Sequence, residues 1–118
     1  SDVAEGYDKI VNELVEAKDK FTNLKAIFLG DIDSEENEIS WIIQTDISPI
    51  LRAYPQLEVL QIRGGEQLKF NAPVRHHNLQ TLIVETGGLS SDTVAQICNM
   101  NLPELEHLEL WFGADEYG

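Results

Sequence analysis

The sequence predicts an α/β solenoid: a short, curved parallel sheet with helices and extended returns on its convex side. Three observations carry that expectation. One strand-like phrase recurs four times. Glycine follows every copy. Between copies the chain twice shows apolar residues at helical spacing, so a strand is followed by a return and then by the next strand.

The phrase is Leu24-Lys-Ala-Ile27-Phe-Leu29, then Leu57-Glu-Val-Leu60-Gln-Ile62, Leu79-Gln-Thr-Leu82-Ile-Val84 and Leu105-Glu-His-Leu108-Glu-Leu110. Each copy reads L-x-x-(L/I)-x-(L/I/V), and the opening leucines lie 33, 22 and 26 residues apart. The residue two before that leucine is proline in two copies, Pro55 and Pro103. Gly30, Gly64 with Gly65, Gly87 with Gly88, and Gly113 follow, and glycine tolerates the positive φ of a sharp exit. Side chains alternate along a strand. Sites four and six therefore share one face with the incoming leucine of site one, and sites three, five and seven share the other.

The elements follow in order. Residues 1–22 are expected to form an amphipathic helix, with Val3, Tyr7, Ile10, Val11, Leu14 and Phe21 inward and Asp8, Lys9, Glu13, Glu16 and Lys18 in water. This helix is either a cap or the return helix of an earlier repeat. Residues 23–118 are expected to be irregular repeats, cut at the C-terminal side. The start at Ser1 rather than Met and the polar tail at Gly118 suggest a piece of a longer protein. In the first return, Ser48 before Pro49 predicts an N-cap with proline at the first helical position, although Asp46 can equally cap an earlier start. Ile50, Leu51 and Tyr54 supply its apolar stripe until Pro55 stops it. The second return, Gly64 to Asn78, reads as extended chain with a brief strand at Leu68 to Phe70. The third starts at Ser90 or Ser91 and turns Val94, Ile97 and Cys98 inward.

The four phrases resemble leucine-rich repeats, whose pattern is L-x-x-L-x-L-x-x-(N/C)-x-L. The resemblance covers Leu24 to Gly113. The ninth site departs from it: Ile32, Gly65, Gly87 and Gly113 stand where the family has Asn or Cys, so the asparagine ladder of regular repeats is absent. In detail, Phe28-Leu-Gly-Asp-Ile32, Ser40-Trp41, Ser48-Pro49 and Val84-Glu-Thr-Gly-Gly88 look like a group of uncharacterised bacterial leucine-rich-repeat proteins. That likeness brings no activity with it. Leucine-rich-repeat families generally serve as protein-binding scaffolds, and the resemblance implies that role here.

Composition narrows the partners. Lys and Arg number 8 against 21 Asp and Glu, a formal net charge of -13 in 118 residues. Nucleic acid and anionic membrane surfaces both require the opposite balance. With 42% hydrophobic residues the chain is too apolar for a disordered acidic tail. No apolar run approaches the roughly 18 residues of a membrane span, and no signal peptide opens the chain. The single cysteine, Cys98, forbids an internal disulfide and points to a reducing, cytoplasmic setting.

Candidate chemistry is sparse. The acidic run Asp31-Ile-Asp33-Ser-Glu35-Glu36-Asn-Glu38 invites a calcium reading, but an EF-hand would need Gly where Glu36 stands and Glu where Ile42 stands. A solvated acidic loop is the plainer expectation. His76 and His77 point opposite ways in extended chain, and His107 belongs to another strand, so a structural zinc site is not expected and surface or turn roles are. Cys98 lies near the end of its helix, away from the N-terminal field that activates a thiolate, and reads as a small buried hydrophobe. Thr86-Gly87-Gly88 and Ser90-Ser91 lack the lysine of a phosphate loop, since no Lys follows Lys69. Trp41 reads as core or cover. No cofactor, metal or catalytic residue is therefore predicted.

The open strand face is more informative. Phe28, Gln61, Arg63, Ile83, Glu85, His107, Glu109 and Trp111 are expected together on the concave side, a mixture suited to anchoring a protein or peptide, plausibly a basic one. The alternative is that they merely cover the sheet or meet missing repeats. A second functional expectation is a regulatory or ligand-sensing domain whose acidic loop takes a cation. The unpaired edge of the fourth strand is also expected to favour self-association or to depend on removed C-terminal residues.

Overall fold

The computed structural model describes residues 10–30, 46–63, 68–71, 74–86 and 89–111. A helix over 10–16 (α1) precedes strand β1, Ala26–Leu29. Helix α2, Ser48–Ala53, leads to β2, Val59–Arg63. Strand β3, Thr81–Glu85, leads through helix α3, Ser91–Cys98, to β4, His107–Trp111. The protein is therefore α/β, with the four strands in one parallel sheet of order β1-β2-β3-β4.

The repeated phrase sets the register. Ile27, Leu60, Leu82 and Leu108 align across the sheet, as do Leu29, Ile62, Val84 and Leu110. These are sites four and six of the phrase. In the two inner strands both sites are fully buried. They share one core with Leu57 and Leu79, with Val11 of α1, with Ile50, Leu51 and Tyr54 in and after α2, and with Ile97 of α3. The helices thus cover one face of the sheet.

Three of the four phrases are introduced by the same turn. The amide of the opening leucine bonds the carbonyl three residues back: Leu24 to Phe21 at 3.1 Å, Leu57 to Tyr54 at 3.0 Å and Leu105 to Leu102 at 3.1 Å. Pro55 and Pro103 sit second in their turns, where a fixed φ near -65° suits a β-turn. The third phrase substitutes a side chain for the carbonyl. His76 Nδ1 accepts from Leu79 N–H at 3.0 Å and from Asn78 N–H at 3.2 Å. Its Nε2–H donates to the Tyr54 carbonyl at 2.9 Å, because a carbonyl can only accept. His76 is buried, so the expected surface histidine is a structural one.

Other local expectations shift for identifiable reasons. Phe21 belongs to the first turn and is half exposed, outside α1. Ser48 is the first helical residue of α2 rather than its cap. The Asp46 carboxylate accepts Ser48 N–H and, from the second return, Asn71 N–H, both at 3.0 Å. Leu68 and Phe70 are buried, but between them only Lys69 pairs, in a single parallel bridge to Asp46. Ser90 caps α3, accepting Thr93 N–H at 3.1 Å. Thr93 Oγ1 donates to the Leu68 carbonyl at 2.6 Å, which buries a polar residue on the helix's inner face. The inward stripe is centred on Thr93, Ile97 and Met100, with the expected Val94 packed against the core at its border, and Cys98 is exposed. At Gly30 the backbone is not left-handed and an added Cβ would meet open space, so no conformational need for glycine exists there. The other phrase-ending glycines lie outside the described residues, as do Val3, Tyr7 and Trp41.

Leu108 occupies a site that is core in the other strands, yet it is 44% exposed. Among the described residues β4 is paired on one side only, as expected of the last phrase.

Candidate interaction face of the sheet

Sites three, five and seven of the phrase point away from the helices and form three rows. The first row is Ala26, Val59, Thr81 and His107, and the second is Phe28, Gln61, Ile83 and Glu109. The third is Arg63, Glu85 and Trp111. Neighbours in a row lie about 4.8 Å apart, the spacing of paired strands. All eight residues expected on the open face are therefore brought together. None of the residues in these rows is buried. Parallel sheets are ordinarily covered on both faces, so this accessible face is the unusual feature of the molecule.

The polar groups on it are ordered by one another. Arg63 Nε lies 3.7 Å from Glu85 Oε1 across adjoining strands. Both side chains keep solvent contact, and such pairs contribute about 1 kcal/mol at most, so the pair orients more than it stabilises. On β4, residues two apart share the face. The Glu109 carboxylate accepts Trp111 Nε1–H at 2.5 Å with one oxygen and His107 Nε2–H at 3.0 Å with the other. The hydrogen bond from His107, and then that from Trp111, holds the Glu109 carboxyl below the usual range. The Trp111 indole is turned with its N–H to Glu109 while the side chain stays half exposed. Phe28, 64% exposed, stands on the opposite edge strand, about 14 Å away across three strand spacings.

Two exposed aromatic residues on the outer strands thus flank a mixed central strip in which Gln61, Arg63, Thr81 and Glu85 alternate with Val59 and Ile83. Thr81 neighbours His107 in register, but no hydrogen bond joins hydroxyl to imidazole, and His107 is engaged by Glu109 instead. Among the described residues no group of three or more His, Cys, Asp or Glu side chains is placed to hold a metal ion. The acidic run Asp31 to Glu38 lies outside them. No helix among the described residues is long and apolar enough to cross a membrane. The bonded trio His107, Glu109 and Trp111 was legible as a cluster of face residues but not as a network. The alternation H-x-E-x-W on one strand is the signal that predicts it.

No family model matches the chain, and no curated protein does. A solved structure does: the crystal structure of a Bacteroides fragilis protein from a structural genomics programme superimposes with a TM-score of 0.75 at 42% sequence identity. The match covers 94% of this chain and 31% of that one, so the chain spans about a third of its neighbour's length.

Proposed function

We propose that the protein is a binding module, not an enzyme, built as a leucine-rich-repeat solenoid and docking a protein or peptide of basic character on its uncovered sheet face. The observation that carries this reading is a parallel sheet with one accessible face, on which exposed Phe28 and Trp111 flank the Arg63–Glu85 pair. Aromatic anchors beside an oriented arginine are the residues that dominate binding energy at interfaces. An arginine already held extended loses less entropy when a partner arrives. The net charge of -13 favours a cationic partner. The single cysteine fits a reducing compartment such as the cytoplasm. The cation-sensing alternative rests on the acidic run and gains nothing from the described geometry.

Selection of random peptides displayed on phage against the folded chain tests this. Enriched peptides should carry Lys or Arg beside apolar residues. They should lose binding at least tenfold to Phe28→Ala and Trp111→Ala variants that keep the wild-type melting curve. Glu85→Ala should weaken binding while changing folding stability by less than about 1 kcal/mol. Peptides that bind all three variants as well as wild type would overturn the assignment of this face.

A further inference from the structure

Arg63 and Glu85 stand side by side in the third row of the face, each on an inner strand. β2 lies between β1 and β3, and β3 between β2 and β4, so their setting does not depend on what lies beyond the outer strands. Their ion pair is loose. Arg63 Nε is 3.7 Å from Glu85 Oε1, beyond the reach of an N–H···O hydrogen bond, about 3.2 Å. The approach is made on the Nε side, and neither side chain has a hydrogen bond among the described residues. Both Nη groups of Arg63 are therefore without a protein acceptor, and the side chain is 63% exposed. Glu109 on the same face is different, because its two oxygens already accept from His107 and Trp111. A partner that covers this face takes water from both members of the loose pair. Donors that lose water and gain no acceptor are costly. Glu85, where it stands, does not supply the missing acceptor.

We propose that Arg63 is a specificity-determining residue of the face, selecting a protein segment that sets a carboxylate against its Nη groups and a Lys or Arg side chain against Glu85. This rests on the reading of the face as a docking surface and narrows the partner from a basic segment to one that carries an acid beside a base. The planar guanidinium matches a carboxylate through two parallel N–H···O bonds, which no other acceptor group of a protein offers so well. A purely cationic segment meets the positive charge of Arg63 between Phe28 and Trp111 and is rejected by it. The net charge of -13 still draws cationic chains in, so the carboxylate arrives on a segment with a surplus of Lys and Arg. Opposite charges on adjoining strands also give the segment one orientation, since reversing it sets like against like.

Peptides selected by phage display on the whole folded chain, and dependent on Phe28 and Trp111, test it. Their sequences should carry Asp or Glu beside Lys or Arg. Changing that acid to its amide should weaken binding to the wild type at least tenfold, and Arg63→Gln should weaken the parent peptide as much. The two changes together should cost little more than either alone, the mark of a direct pair in a double-mutant cycle. Arg63→Lys should recover only part of the binding, since an ammonium lacks the planar fork. Arg63→Glu combined with Glu85→Arg should favour peptides in which acid and base are exchanged. Peptides that need Phe28 and Trp111 yet carry no carboxylate, or that bind Arg63→Gln as tightly as wild type, overturn the role of Arg63 and leave the face reading standing. Additive losses overturn it too, because they place the carboxylate elsewhere. If no peptide depends on Phe28 and Trp111, the face reading falls and this inference falls with it.

Discussion

Single side chains in this protein act mainly by completing backbone hydrogen bonds. His76 satisfies two amides and one carbonyl with one ring, which fixes its tautomer as Nε2–H. Truncation by His76→Ala removes the acceptor of the Leu79 and Asn78 N–H groups and one of the two donors to the Tyr54 carbonyl, which keeps its bond from Leu57 N–H. The expected loss is about 2–4 kcal/mol, read as a lower urea midpoint with unchanged slope. His76→Asn should recover part of it, because asparagine can bond the amide two residues on. Unchanged stability of the alanine variant would show the ring to be dispensable. Glu109 makes a different prediction. Its carboxyl is held below the usual range by the bonds from His107 and Trp111. A carboxyl whose folded value is depressed stabilises the fold above its ordinary pKa, and that contribution is lost as pH falls through the depressed value. An NMR titration should therefore place Glu109 below the ordinary glutamate range, and His107→Ala should move its midpoint upward. A midpoint indifferent to His107 would dissolve the proposed trio.

At the scale of strands and helices, position in the sheet decides what a leucine contributes. Leu82 is flanked by Leu60 and Leu108 and is fully buried, so Leu82→Ala should cost about 2–5 kcal/mol by leaving a cavity. Leu108→Ala, at the same site of an edge strand, should cost about 1 kcal/mol because much of that side chain is already in water. Thermal melts of the two variants measure the contrast, and equal losses would contradict it. The strand register was legible in the sequence because a period of two tolerates no slip. Four copies of the phrase reported the same alignment independently, and all eight face residues followed from it. What stayed hidden was polar. Thr93 looks like a surface residue until Leu68 offers it a carbonyl, and that one contact turns α3 and carries Cys98 out of the core. The Asp46 carboxylate, which the sequence does offer as the cap of an earlier start, bonds Ser48, but its reach to Asn71, 25 residues away, stayed hidden. Side-chain partners so distant in sequence leave no local pattern to read. Leu108 stacks on Leu82 where the phrase places it, and its exposure follows from its place on the outermost of the described strands.

The molecule as a whole carries a charge of -13, and folding brings those charges together. Raising NaCl from about 10 mM to about 300 mM shortens the screening length from roughly 30 Å to well under 10 Å. Self-repulsion should weaken, and the melting temperature should rise by several degrees. A melting temperature that stays flat or falls with salt would mean that attractive pairs such as Lys25–Glu58 and Arg63–Glu85 outweigh the net charge. The returns have one more consequence. Spacings of 33, 22 and 26 residues all deliver the same alignment of one phrase on the next. Closing the longest rather than the shortest of these costs only roughly 0.4 kcal/mol more chain entropy. A single residue inserted within a phrase, by contrast, would invert every side chain beyond it. Heritable length change is thus steered to the segments between strands, where it scarcely registers. The lineage can rebuild the back of the protein, repeat by repeat, while the outward rows keep their spelling.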